Sequence, residues 1–129
     1  MKEDAKKYGL AKKDILRRAE DISAIFQNGR FLRGRWFDVV FTGAAARQVA
    51  FAAAKRLRTA VSRNRIKRRL REAFRLEKEN FLAPAQFVLI GHENILETPL
   101  EDLRKEMRKT ATKINALALN EPQRKGNRN

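Results

Sequence analysis

Six basic side chains, Arg63, Arg65, Lys67, Arg68, Arg69 and Arg71, crowd into nine residues around a single amide, Asn64. Guanidinium forks grip phosphate oxygens bidentately and an ammonium adds a point charge, so the chemistry on offer is recognition of a polyanion. The same stretch keeps Ile66, Leu70, Ala73 and Phe74 at i, i+4, i+7 and i+8, which is one apolar stripe of an α-helix. The spacing predicts a helix over about 60–79 that docks one face on a core and presents cations elsewhere. Asn64, Arg68 and Arg71 stand at i, i+4 and i+7 and share a face. Cations pointing in several directions suit a surface lodged between folded RNA strands, where Asn64 can read a 2′-hydroxyl or a base edge.

The chain has 129 residues and a formal net charge of +15. Residues 28–71 hold thirteen Lys/Arg and one acid, Asp38, whereas the segments before and after nearly balance. A generic soluble surface mixes its signs, so this localisation points to a binding face. Nucleic acid is the leading partner and an anionic membrane surface the second. No apolar run approaches the ~18–20 residues that span a bilayer. The first thirteen residues are polar and lack the apolar core of a secretory signal. Cysteine is absent, which excludes disulfides and thiolate metal sites. A cytoplasmic protein fits.

A second constellation lies upstream. Phe26, Phe31, Trp36, Phe37 and Phe41 are interleaved with Arg30, Arg33 and Arg35. Aromatic rings beside cations hold single strands at roughly 1–3 kcal/mol per stacked base. Strand alternation puts Phe37, Val39 and Phe41 on one face and Trp36, Asp38 and Val40 on the other, and one of these sets must be core. Protein-side catalysis has little to draw on. The chain has one histidine, His92, following Gly91 at a strand end, where a structural or surface role fits. Glu97, Glu101, Asp102 and Glu106 stand among Lys and Arg and read as an ion-paired face. No glycine-rich phosphate loop is present.

These side chains need a scaffold. One domain over 14–119 is expected, with a basic arm at 1–13 and a loose tail at 120–129. Asp14 can cap a first helix carrying Ile15, Ala19, Ile22, Ile25 and Phe26, with Gly29 at its end. Residues 30–42 read as strand, divided near Gly34, and Gln48 to Ala54 as another. After the basic helix, Phe87 to Ile90 is a short buried strand. Thr98, Pro99 and Glu101 then mark the start of a last helix, with Leu100, Leu103, Met107, Ile114 and Leu117 as its stripe. The order α-β-β-β-α-β-α gives an α+β sandwich with helices on a mixed four-stranded sheet.

The run Arg63-Asn64-Arg65-Ile66-Lys67-Arg68, followed by Leu70-Arg71-Glu72-Ala73-Phe74, resembles the signature of the bacterial ribonuclease P protein subunit. The likeness extends to Ile25-Phe26-Gln27-Asn28-Gly29, the Lys55-Arg56 pair, and the order of the flanking strands and last helix. It implies a left-handed crossover through the basic helix, against the usual right-handed preference. It implies a catalytic RNA that removes the 5′ leader of precursor tRNA with Mg²⁺ held mainly by RNA, and a monomeric protein bound 1:1 to it. Lys55, Arg56, Arg63, Asn64, Arg65, Lys67, Arg68, Arg69 and Arg71 would contact that RNA. Ile22, Phe26, Arg30, Arg33, Arg35 and Trp36 would form the leader cleft between the sheet and first helix. The chain departs from the family pattern at Ile22, where an aromatic is common, at Ala54, where a small hydroxyl residue is usual, and at Arg58, where glycine is. The residues by themselves leave open two other binding modules: a ribosomal or assembly RNA-binding protein, and a nucleoid protein preferring duplex DNA.

Overall fold

The computed structural model describes residues 10–54 and 59–120. Three helices, α1 (Ala19–Asn28), α2 (Ala60–Glu77) and α3 (Leu100–Asn120), flank four strands, β1 (Arg30–Leu32), β2 (Phe37–Gly43), β3 (Gln48–Ala53) and β4 (Ala85–Gly91). The sheet order is β1-β2-β4-β3. β2 pairs antiparallel with β1 and β4, while β3 runs parallel to β4. The mixed four-stranded α+β sheet is the expected one, and α2 is the crossover that a parallel neighbour requires.

Alternation assigns the two faces. Phe37, Val39, Phe41, Val49, Phe87 and Leu89 join Ile66, Leu70, Ala73 and Phe74 of α2 and Leu103, Met107, Ala111 and Ile114 of α3 in one core. The opposite face carries Val40, Ala50 and Val88 under Ile25 of α1 and Leu16. Phe74 anchors the larger core, with its ring 5.0 Å from Phe81, 5.7 Å from Phe87 and 6.0 Å from Phe51 between centroids. α2 crosses β4 where β4 has no side chain. A methyl at Gly91 would stand 2.3 Å from Ile66 Cγ2 and 3.1 Å from Leu70 Cδ1, so the helix can approach the strand's backbone closely.

The first helix starts later than its apolar spacing suggests. Lys12–Asp14 is a 3₁₀ turn, Leu10 packs against the larger core, and Ile15 bridges Val49 in parallel register. The Leu16 amide donates to the Val49 carbonyl at 2.8 Å. Ile15 and Leu16 therefore extend the sheet past β3, and Arg18 takes the N-cap position, without a side-chain cap. The Asp14 carboxylate accepts from the Ala11 amide at 3.3 Å and lies 3.8 Å from Arg47. Thr59 caps α2 by accepting from the Ser62 amide at 3.1 Å. Before α3, the Thr98 hydroxyl donates to the Asn94 carbonyl at 3.0 Å. Of the arm expected at 1–13 and the tail expected at 120–129, residues 1–9 and 121–129 lie outside the described residues. No helix among the described residues is long and apolar enough to cross a membrane.

Candidate nucleic-acid interface

The cations of α2 sort onto two flanks. Asn64, Lys67, Arg68 and Arg71 line one side of a cleft of about 440 Å³. Ile15, Leu16 and Ile22 from the first-helix side, and Ala50 and Phe51 from β3, line the rest. The cleft's lining thus joins an apolar wall to a cationic one and includes no carboxylate. Arg65, Arg68, Arg69, Glu72 and Leu96 line a second hollow of about 340 Å³ on the other flank. Arg68 belongs to both and crests the helix. The predicted common face of Asn64, Arg68 and Arg71 is the face turned to the cleft.

Two motif cations are less free than their spacing suggests. Arg69 is half-buried, and its Nη2 donates to the Thr98 carbonyl at 2.5 Å. It therefore ties α2 to the segment entering α3. Arg63 is half-buried as well. Lys55 and Arg56 lie outside the described residues.

Of the predicted leader-cleft residues, only Ile22 lines the cleft. It also packs beside Ala52 and Ile90 against the smaller core. Phe26, on the same helix, is 49 % exposed. Phe31 pairs with Val40 across the β1–β2 ladder, which puts it on the α1 face, and is 48 % exposed. Arg33 stacks over Phe31, its guanidinium carbon 5.6 Å from the ring centroid. Arg30 is exposed and pairs with Phe41, on the row of the opposite face. Trp36 departs from its expected face. It precedes β2, so alternation does not govern it, and its half-buried ring packs against the α2–α3 core. Arg35, the residue before it, stacks on the indole with its guanidinium carbon 5.3 Å from the ring centroid.

Sequence reasoning passed over Ile15, Leu16, Ala50 and Phe51 as cleft residues. The legible signal was the small–small pattern of Ala50 and Ala52 on one face of β3. Bulky Val49 points the other way, into the larger core. Small side chains on one strand face leave a floor low enough for a ligand.

Two acids, Glu77 and Asp38, serve the scaffold. Glu77 is 3 % exposed. It accepts from Arg104 Nε at 2.6 Å, Arg108 Nη1 at 2.8 Å and Asn80 Nδ2 at 2.8 Å. That clamp joins the end of α2 to α3. His92 Nε2 lies 3.1 Å from Asp38 Oδ2, and its Nδ1 lies 3.3 Å from the Arg35 carbonyl. Among the described residues no three His, Asp or Glu side chains gather as a metal site would require.

The Ribonuclease P family model matches residues 10–115. The ribonuclease P protein component of Syntrophus aciditrophicus is 31% identical over 110 residues, covering 84% of this chain and 92% of that protein. That of Desulfotalea psychrophila is 30% identical over 100 residues, covering 76% and 83%. Among solved structures, the RNase P protein of Thermotoga maritima superposes with a TM-score of 0.67 at 24% identity, over 77% of this chain and 96% of that one. The RNase P protein of Staphylococcus aureus gives 0.64 at 20% identity, over 81% and 97%. The structural likeness shows the shared fold, and the sequence matches fix the affiliation: the chain belongs to the ribonuclease P protein family.

Proposed function

We propose that this chain binds a catalytic RNA through the cationic faces of α2 and holds the 5′ leader of precursor tRNA beside α1. In this reading the RNA carries out the endonucleolytic cut that yields the mature tRNA 5′ end. The protein is a monomer bound 1:1 in a cytoplasmic ribonucleoprotein. Its contribution is affinity. Cations offset the repulsion between two RNAs, and apolar surface retains an unpaired strand. Mg²⁺ would sit mainly on RNA phosphates, where a hard cation finds oxygen ligands.

One observation carries the reading. A single cleft is apolar on its α1 and β3 side and cationic on its α2 side. An unpaired strand offers both chemistries along its length, bases to the first wall and phosphates to the second. A duplex offers mainly phosphates and groove edges, with its bases stacked out of reach of an apolar wall.

The test is affinity of the holoenzyme for precursor tRNA with and without its 5′ leader, measured at fixed salt. Leader-bearing tRNA should bind tighter, and that preference should vanish when the protein is omitted. Equal binding of both forms would reduce the chain to a general RNA-binding protein. A salt titration alone would not decide, because every phosphate-binding reading predicts a steep slope.

A further inference from the structure

We propose that the turn formed by Arg33, Gly34, Arg35 and Trp36 is a second contact element for the catalytic RNA, holding an unpaired base at the Arg35–Trp36 stack. The proposal rests on the reading that the chain assembles with such an RNA, and it moves Arg35 and Trp36 out of the leader cleft.

The turn is exposed yet fixed. The Gly34 amide donates to Asp38 Oδ1 at 3.0 Å. Asn94 Nδ2 donates to the Arg35 carbonyl at 3.2 Å, and His92 Nδ1 lies 3.3 Å from the same oxygen. The His92 amide donates to the Trp36 carbonyl at 2.9 Å. Asp38 is itself held by His92 Nε2. A methyl at Gly34 would stand 2.3 Å from the Phe37 carbonyl oxygen, so this tight path needs glycine. Backbone pinned at consecutive residues presents its side chains with little ordering left to do on binding. What it presents is the outward plane of Arg35, backed by the indole. Bases of unpaired RNA stack on guanidinium planes as they do on aromatic rings.

The location decides which RNA. Trp36 packs on the α2–α3 side of the sheet, away from α1. The 3₁₀ turn Glu93–Glu97 leads from there to the far flank of α2. Its Asn94 holds the Arg35 carbonyl, and its Leu96 lines the hollow with Arg65, Arg68 and Arg69. Five residues at a 3₁₀ rise span about 10 Å. The stack and the arginine hollow thus mark the two ends of one short track, on the opposite side of α2 from the cleft. Glu93 and Glu97 are exposed along that track. Glu93, beside Asn94 at the Trp36 end, favours an uncharged base there, and at the other end three arginines outnumber the one lining carboxylate, Glu72.

Trp36 is the chain's single tryptophan, so the unmodified protein reports on its own turn. Its emission and its quenching by acrylamide should be followed as catalytic RNA alone is added, then leader-bearing precursor tRNA. The expected result is a change in emission and reduced acrylamide access on assembly, with no further change when the leader arrives. Arg35→Ala should weaken binding of the catalytic RNA about five- to tenfold, the low end for one stacked base, and leave the ratio of affinities with and without leader unchanged. Emission that responds only to the leader would overturn the proposal and return Trp36 to the leader cleft. So would unaltered assembly by Arg35→Ala. Failure of the unmodified protein to shift the catalytic RNA on a native gel would instead overturn the underlying reading.

Discussion

On one face of the sheet, α2 and α3 leave Phe37, Val39, Phe41, Phe87 and Leu89 no more than 2 % exposed. On the other, the ten-residue α1 covers Val40, Ala50 and Val88, leaves Ile22, Ala52 and Ile90 partly open, and carries Phe26 half in water. Apolar surface left in water forgoes roughly 25 cal/mol per Å². A fold able to seal one face so thoroughly leaves the other open where something else covers it. The closed face shows what stability requires of this chain. The open one shows what an unpaired strand requires.

Substitutions can separate the two faces. The largest effect belongs to the closed one. Phe74→Ala removes a ring packed against three others and should cost about 3–5 kcal/mol of folding free energy, read from the urea midpoint. A drop below about 1 kcal/mol would mean that the face is not packed as described. Next come the cations between the faces. Arg68→Ala with Arg71→Ala should weaken assembly with the catalytic RNA by about 1.5 kcal/mol or more for each charged hydrogen bond removed. The slope of log affinity against log salt should flatten by about 0.7–0.9 per phosphate released, while the urea midpoint stays put. An unchanged slope would show that neither side chain meets a phosphate.

Smaller effects belong to the open face. Phe26→Ala should cost the fold less than about 1 kcal/mol, because half the ring is already wet, yet lower leader-dependent affinity by about 1–3 kcal/mol. A large drop in stability with leader preference intact would make Phe26 a core residue and erase the contrast. Ile22→Phe sharpens it from the other direction. A ring at this cleft-lining position should raise leader preference by about 1 kcal/mol, the low end for one stacked base. The fold should tolerate it within about 1.5 kcal/mol. No gain would mean that the strand passes elsewhere along the sheet.

Most of the closed face was legible from residue spacing. Ile66, Leu70, Ala73 and Phe74 announce their stripe, and all four are fully buried. Gly34 divides the strands where its tight approach to Phe37 demands it. The open face was harder to read. Ile15 keeps helical spacing with Ala19 and Ile22 but is spent on a bridge to Val49, 34 residues away in sequence, which no local pattern encodes. Trp36 was misplaced because alternation was carried one residue beyond the strand that enforces it. Arg69 reads as one more cation in a basic run, and its bond to Thr98 is visible only once α2 and the approach to α3 are side by side. Glu77 likewise meets its two arginines 27 and 31 residues later. Periodicity reports which way a side chain points within its own element. It is silent on what another element brings to meet it.

Gly91 sets a dimension that no cation on α2 can set for itself. Ile66 and Leu70, the two side chains resting on it, sit between the arginines of the motif, so the standoff of the whole charged array is fixed by a missing methyl group. Gly91→Ala would lift the helix off the sheet as a unit. The spacing among Asn64, Lys67, Arg68 and Arg71 would persist, but their register against the apolar wall of the cleft would slip. Affinity for a strand that touches both walls would then gauge a displacement of about 1 Å, made by an atom that touches neither the strand nor any charge.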